Sequence, residues 1–165
     1  MTHYRRYRRE GGTYFFTVNL ADRSASHLTD HIDVLRNALA TTRAERLMQI
    51  DAMVVLPDHL HAIRTLPASD ADFSTRWRLI KSRVSRAVGL KQPRTASQVT
   101  KKEHGLWQRR FWEHYIRDDA DFAVHLAYFW GNPVKHGLVT RAVDWPYSSL
   151  HRDIKRCLAG GEWAG

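Results

Sequence analysis

The sequence predicts an α+β fold of the ferredoxin-like type, in which an antiparallel sheet carries helices on one face. Segments rich in aromatic and β-branched residues alternate with amphipathic segments in the order strand, helix, strand, strand, helix, strand, which is the split βαβ plan. The chain has 165 residues, of which 43% are hydrophobic, so one ordinary core is expected. We therefore expect a single domain over residues 1–165, with a basic N-terminal arm (residues 1–10), a mobile loop (residues 91–105) and a C-terminal tail (residues 140–165).

The first strand and the first helix follow from local composition. Two glycines precede residues 13–18, which are aromatic or β-branched and therefore predict a β-strand. Apolar residues recur near helical spacing from Ile32 to Leu47, which predicts an amphipathic helix that ends near Leu47. Thr29 or Asp30 is the expected N-cap, because short polar side chains accept hydrogen bonds from the free amides of a first turn.

The middle of the chain predicts a hairpin and a basic helix. Residues 50–56 and 59–66 are extended apolar segments separated by Pro57-Asp58, a typical turn sequence. Residues 73–90 alternate apolar and basic side chains at helical spacing, and Gly89 supplies a stop signal. The second helix is therefore expected to be amphipathic and cationic.

Three further elements are expected after the loop. Residues 106–117 are dense in aromatic side chains and predict the fourth strand. Asp118 or Asp119 then caps a third helix, which Asn132-Pro133 should terminate because the residue before a proline avoids the α region. Residues 150–158 predict a short terminal helix.

Composition excludes several classes of protein. The single cysteine, Cys157, cannot form an internal disulfide or a cysteine-rich zinc site. No segment approaches the roughly 20 consecutive apolar residues that span a bilayer, and the four arginines near the start precede no apolar signal segment. Membrane and secreted proteins are therefore disfavoured, and a reducing cytoplasm is expected.

The basic residues are concentrated in one segment. The chain carries 26 Lys and Arg against 17 Asp and Glu, a net charge of +9. The residues from Asp72 to Arg110 include eleven basic and two acidic side chains, so this segment accounts for the whole excess. Such a localised excess indicates a polyanion as partner, because each neutralised phosphate releases counterions. A solvated basic helix face is the alternative interpretation.

Two histidines on the second strand of the predicted hairpin form a candidate metal pair. The period-two alternation of a strand places His59 and His61 on one face and Leu60 on the other, so that both imidazoles could share one cation. The spacing alone equally fits surface or core histidines.

The third helix carries a candidate nucleophile. His125, Tyr128 and Asn132 recur at helical spacing and therefore lie on one side. A phenol with a pKa of about 10 is a poor nucleophile at neutral pH, so a nearby divalent cation would be needed. Core packing is the alternative role for Tyr128. Tyr115 also lies in a basic, aromatic segment, but it has no ligand-type residue at helical spacing.

Six sequence blocks, spread over nearly the whole chain, together resemble one family. They are YRR at residues 4–6, GGTYFFTV at 11–18, VVLPDHLH at 54–61, WQRRFWEH at 107–114, NPVKHGLV at 132–139 and DWPYSS at 144–149. In combination they are similar to the bacterial REP-associated tyrosine transposases, relatives of the single-tyrosine HUH transposases of small insertion sequences.

The resemblance implies a fold of the HUH nuclease type and a mechanism. In that family the histidine pair, here His59 and His61, binds a divalent metal such as Mg²⁺ or Mn²⁺. The catalytic tyrosine precedes the Asn-Pro block, which matches Tyr128, and it forms a covalent 5′-phosphotyrosine with single-stranded DNA. Relatives place a glutamine ligand four residues later, where this chain has Asn132. The implied substrate is a hairpin-forming repeated extragenic palindrome (REP), and the implied state is a monomer or a homodimer.

The basic segment and the arm then become a DNA surface, with cationic side chains on phosphates and tryptophans stacked on unpaired bases. The residues expected to bind DNA are Arg5, Arg6, Arg76, Arg78, Lys81, Arg83, Arg86, Arg109, Arg110, Trp107 and Trp112.

Two other functions remain open at this point. A non-catalytic nucleic-acid-binding module would keep the basic surface without cleavage. A histidine-metal hydrolase of small phosphoesters would leave the localised charge without a role.

Overall fold

A four-stranded antiparallel sheet forms the centre of the computed structural model, which describes residues 7–89, 94–101 and 104–160. The strands are β1 (Thr13–Asn19), β2 (Gln49–Val55), β3 (His59–Thr65) and β4 (Trp112–Tyr115). Their order across the sheet is β2-β3-β1-β4, and every neighbouring pair is antiparallel. This confirms the predicted split βαβ plan.

Six α-helices accompany the sheet in the described part of the chain. They are α1 (His27–Asp30), α2 (Ile32–Glu45), α3 (Phe73–Val88), α4 (Ala96–Thr100), α5 (Asp119–Lys135) and α6 (Leu150–Gly160). A short 3-10 turn at Ala142–Asp144 lies between α5 and α6. None of the helices in the described ranges combines the length and the apolar composition that a bilayer crossing requires.

The two faces of the sheet carry different cores. Tyr14, Phe16 and Val18 of β1 pack with α2 and α3 in the larger cluster. Phe15, between them in sequence, packs on the other face with Phe129 of α5. The helices that connect the strands therefore share one face, as predicted, and α5 adds a third layer on the opposite face.

Helix boundaries differ from the prediction near the first helix. Neither Thr29 nor Asp30 caps α2, whose N-cap is His31, because residues 27–30 form the separate turn α1. The helix ends at Glu45, so Leu47 falls outside its apolar stripe and is 68% exposed. Met48 is buried in its place.

The capping signals around α3 and α4 explain two other boundaries. Asp72 accepts a hydrogen bond from the Thr75 amide at 3.0 Å and begins α3, and Gly89 ends it with a left-handed φ of 65°, as predicted. Within the expected loop over residues 91–105, a capping box of Thr95 and Gln98 starts the short helix α4. Residues 90–93 and 102–103 of that segment lie outside the described residues.

The remaining differences lie on either side of β4 and at the end of α5. The strand β4 is shorter than predicted. Leu106 and Trp107 pack into the core, and Trp107 forms an isolated bridge with Leu20 just after β1. The helix α5 continues through Pro133 to Lys135, contrary to prediction. A proline in the last turn forfeits a single hydrogen bond, and the His136 amide still donates to the Asn132 carbonyl at 3.0 Å.

The C-terminal segment covers the free edge of β2. The Val55 amide donates to the Tyr147 carbonyl at 2.8 Å, and the Ser149 amide donates to the Met53 carbonyl at 2.8 Å. Arg152 reaches back to the carbonyls of Ile50 and Asp51. This edge is therefore paired rather than open to another strand.

Arg76 is a core residue and does not lie on the DNA surface where the sequence placed it. Its guanidinium is buried and donates to Asp70 Oδ2 at 2.7 Å and to the carbonyls of Leu47 and Asp72 at 2.7 and 2.8 Å. These bonds tie the start of α3 to the end of α2.

We expect Arg76→Ala to lower the free energy of unfolding by about 3 kcal/mol, because it leaves a partly buried carboxylate and two carbonyls without their donor. Urea denaturation measures this loss. Arg78→Ala is the matched control, since Arg78 is exposed on the same helix and should cost less than about 0.5 kcal/mol. Equal losses in the two variants would contradict a structural role for Arg76.

Candidate active site

The histidine pair lies on the face of the sheet that α5 covers. Alternation along β3 directs His59 and His61 to this face, with ring centroids 5.0 Å apart, and Leu60 to the opposite core. This confirms the predicted placement of both imidazoles on one side. Both rings are buried.

Polar neighbours orient each imidazole through its Nδ1 atom. His59 Nδ1 is 2.7 Å from Asp58 Oδ1, and the other oxygen of Asp58 accepts from Arg23 Nε at 2.5 Å. His61 Nδ1 is 2.8 Å from Thr17 Oγ1. When Nδ1 carries the proton in these contacts, each Nε2 presents a lone pair, which is how second-sphere partners prepare histidines as ligands.

The electrostatics keep both imidazoles neutral. Burial, with a smaller contribution from His59, lowers the pKa of His61 to about 3. Burial also lowers the pKa of His59, although the Asp58 carboxylate acts in the opposite direction. Neutral imidazoles are the form that binds a cation, so no proton has to be displaced at neutral pH.

Asn132 of α5 lies beside this pair. The residue is fully buried, and neither amide atom has a hydrogen-bond partner within the described residues; the same holds for His61 Nε2. The amide is close enough to act on the His61 pKa, opposing burial, but the two side chains form no hydrogen bond by geometry. Buried polar atoms without protein partners are uncommon in native proteins, where an ordered water or an ion usually satisfies them.

Tyr128 stands over the same pair but remains accessible. Its side chain is 44% exposed, and its ring lies 5.4 Å from the His61 ring and 6.1 Å from that of Phe15. Lys135 Nζ lies 5.3 Å from the Tyr128 ring centroid. The structure therefore brings together His59, His61, Tyr128 and Asn132.

Tyr115 is remote from this group. On β4 it points to the opposite face, where its ring packs 5.0 Å from Tyr7 and 5.5 Å from Tyr14. Its hydroxyl accepts a hydrogen bond from the Arg9 guanidinium at 2.8 Å.

Several neighbours of the pair were not predicted. Thr17 meets His61 through the register of β1 against β3, and His136 lies 5.2 Å from His59 after the turn that ends α5. Among the residues that contact the pair, Asp58 is the one that the local sequence could have indicated, because it directly precedes His59. A separate cluster of His114, Asp121 and His125 joins β4 to α5.

The basic surface lies mainly on the other face of the sheet. A groove of about 490 Å³ runs between α3 and residues 104–111, and its lining includes Arg78, Lys81, Lys101 and Arg109. Arg86 and Arg110 are also exposed. Lys81 spans the groove, donating to the Gln108 carbonyl at 2.8 Å.

Two more residues predicted to bind DNA are engaged within the protein. Arg83 donates to both carboxylate oxygens of Glu45, at 2.6 and 2.5 Å, and to Thr42 Oγ1 at 2.6 Å. Trp107 is buried, and its indole N–H donates to the Lys81 carbonyl at 3.2 Å. Trp112, in contrast, is 52% exposed and lies on the face of the histidine pair. Arg5 and Arg6 lie outside the described residues.

A split βαβ sheet with a His-hydrophobe-His pair, faced by a helical tyrosine, defines a tyrosine nuclease of the HUH class. The chain is 47% identical over 165 residues to the REP-associated tyrosine transposase of Escherichia coli K12. This alignment covers all of this chain and 92% of that protein. It thus belongs to the REP-associated tyrosine transposase family.

Other comparisons agree with this membership. A Haemophilus influenzae protein named after the same transposase is 44% identical over 170 residues, covering all of this chain and 94% of its own length. The structure of a REP-associated tyrosine transposase bound to a REP hairpin superposes with a TM-score of 0.86 at 47% identity, covering 100% of this chain and 92% of that one. No protein-family model matches the chain. Membership of this transposase family implies a divalent metal.

The low pKa of His61 makes the fold sensitive to acid. Because the folded pKa lies below the ordinary value of about 6.5, the unfolded chain takes up a proton first as the pH falls, so stability is lost below about pH 6.5 and the loss levels off near pH 3. In the presence of a chelator, His61 should account for a loss of up to about 2 kcal/mol in the free energy of unfolding between pH 7 and pH 5. His61→Gln should show a correspondingly smaller loss in urea denaturation. Equal losses in the wild type and the variant between pH 7 and pH 5 would contradict a lowered pKa for His61. Between pH 7 and pH 8, where His61 does not titrate in either state, the two stabilities should change in parallel.

Proposed function

We propose that this protein cleaves and rejoins single-stranded DNA at REP hairpins, with Tyr128 as the nucleophile. One observation carries the proposal: the accessible phenol of Tyr128 faces the buried, neutral imidazole of His61. The relative that superposes on this chain is bound to a REP hairpin, which supports the same class of substrate.

The residues around the histidine pair fit a divalent metal. His61 Nε2 and Asn132 Oδ1 are buried and have no hydrogen-bond partner among the residues that the structure describes. Imidazole nitrogen and amide oxygen are both suitable ligand atoms. His59, His61 and Asn132 would hold the ion, which would supply Lewis-acid stabilisation of the charge that grows on the scissile phosphate. Two imidazoles favour Mn²⁺ over Mg²⁺ by affinity, and availability in the cell decides between them.

The chain's own residues account for the covalent step. The Tyr128 oxygen attacks phosphorus and its proton leaves to solvent. The bond from phosphorus to the 3′ oxygen breaks and this oxygen takes up a proton from solvent, which yields a 5′-phosphotyrosine and a free 3′-hydroxyl. Because the tyrosyl ester conserves the energy of that bond, a second 3′-hydroxyl can reverse the step without a nucleotide cofactor. Lys135, beside the Tyr128 ring, adds positive charge where the phosphate enters.

The DNA surface follows from the side chains that remain accessible. Arg78, Lys81 and Arg109 line the groove beside α3, where phosphates can be neutralised. The exposed ring of Trp112 stands at the edge of the histidine face and can stack on an unpaired base. We expect the chain to act as one domain in the cytoplasm, where its DNA substrate is found.

Tyr128→Phe should fold and bind the hairpin but form no covalent adduct, because it removes one hydroxyl and little packing. The measurement is a denaturing gel of protein incubated with a labelled REP hairpin oligonucleotide and Mn²⁺. Tyr115→Phe is the matched control and should form the adduct at the wild-type level, since Tyr115 lies on the other face of the sheet.

Two results would overturn parts of this proposal. A phosphotyrosine located by mass spectrometry at Tyr115 would show that the nucleophile is misassigned. A wild-type protein that binds the hairpin yet forms no adduct with either Mg²⁺ or Mn²⁺ would instead indicate a non-catalytic DNA-binding module.

Charge removal on the groove should weaken binding in a salt-dependent way. Arg78→Gln with Lys101→Gln should make the negative slope of log K against log salt shallower by about 0.7 to 0.9 for each phosphate that the protein no longer neutralises. Arg36→Gln with Arg43→Gln, two exposed arginines of α2, is the control with equal charge change. The same slope change in both double variants would mean that the DNA does not follow the groove.

A further inference from the structure

A second cluster of ligand-type side chains lies on the same face as the histidine pair. His114 comes from β4, and Asp121 and His125 come from the first two turns of α5. His114 Nε2 lies 2.9 Å from Asp121 Oδ2 and 3.1 Å from Oδ1, and His125 Nδ1 lies 3.1 Å from Asp121 Oδ1. One carboxylate therefore stands between two imidazole nitrogens.

The spacing of these atoms suits a transition-metal ion. One ligand atom from each residue can be chosen so that all three lie within 4.8 Å of one another. Ligand atoms about 2.1 Å from a four-coordinate zinc ion are roughly 3.4 Å apart. The two His–Asp separations of 2.9 and 3.1 Å would therefore widen by a few tenths of an ångström around an ion. Two imidazoles and one carboxylate are a donor set for Zn²⁺, Mn²⁺, Fe²⁺ or Co²⁺ rather than for Mg²⁺.

Burial and access are both compatible with binding. The Asp121 side chain is buried, whereas His114 and His125 are partly exposed, which leaves a path from solvent and an open side for a further ligand. Burial acts to raise the pKa of Asp121, but hydrogen bonds from His114 and Arg117 outweigh it and hold the pKa well below its usual range. The carboxylate is therefore ionised at neutral pH.

The cluster is separate from the pair on β3. The ring of Phe15 stands between them, 5.5 Å from the His61 ring and 4.8 Å from the His125 ring. The His114 and His125 rings stack on each other at 4.6 Å, and Trp112 stacks on His114 at 6.0 Å. An ion at this cluster would thus lie between the exposed tryptophan and the helix that carries Tyr128.

We propose that His114, Asp121 and His125 form a second divalent metal site, which takes Zn²⁺ or a similar transition-metal ion and offers its open side to an oxygen ligand such as a DNA phosphate. Without metal, His125 Nδ1 also lies 2.8 Å from the Asp121 carbonyl, a contact that requires a proton on this nitrogen. Ligation through Nδ1 requires the other tautomer of the neutral ring, with this proton on Nε2, so binding breaks the contact with the Asp121 carbonyl.

The test is Zn²⁺ binding by the full chain, measured as equivalents bound in equilibrium dialysis and by calorimetry. The His59→Ala, His61→Ala double variant should retain one equivalent. Adding Asp121→Asn or His114→Gln to it should weaken that equivalent at least tenfold. Adding Asp118→Asn should leave it unchanged, because Asn also caps a helix and Asp118 caps α5 without belonging to the cluster. Co²⁺ in place of Zn²⁺ should show visible ligand-field bands that disappear in the same variants.

Two outcomes would overturn the proposal: no Zn²⁺ bound by the double variant, or an equivalent that survives both Asp121→Asn and His114→Gln. The inference does not depend on the nucleophile, because adduct formation by Tyr128 is measured separately from Zn²⁺ stoichiometry.

Discussion

The register of β1 against β3 is the constraint on which the site depends. Thr17 pairs with His61, and the alternation of both strands sends these side chains toward α5 while Leu60 points into the core under α2 and α3. A shift by one residue would exchange the two faces and bury both imidazoles in the larger apolar cluster. The register is fixed from both sides, because Phe15 fills one core and Phe16 fills the other.

The sequence could predict those parts of this arrangement that depend on the spacing of residues within one strand or helix. Alternation along β3 places the histidines on one face, and helical spacing places Tyr128 and Asn132 on one side of α5. Contacts between different elements that folding brings together leave no periodic pattern in the sequence. Thr17 reaches His61 across 44 positions, and His114 reaches Asp121 through the packing of β4 on α5.

Charge is the property that sequence reasoning resolved least well. The count of basic residues between 72 and 110 does not distinguish side chains that face solvent from those that hold helices together. Arg76 satisfies carbonyls at the end of α2, and Arg83 neutralises Glu45 on the same helix. The long stem of arginine allows either role at the same helical position, so three-dimensional packing decides which one applies.

The two faces of the sheet provide different physical environments. Burying the neutral imidazoles and the Asn132 amide, which has no partner in the described part of the chain, costs free energy. The apolar contacts of Phe15 and Phe129 under α5 offset this cost. A polyanion needs the opposite conditions, which are exposed cations in an open groove. Residues 107–112 connect these environments around the β4 edge, since Gln108 and Arg109 line the groove and Trp112 lies on the histidine face. In the proposed function, a DNA strand held in the groove would have to turn around this edge to reach Tyr128, so affinity and cleavage would be physically separable properties of the chain.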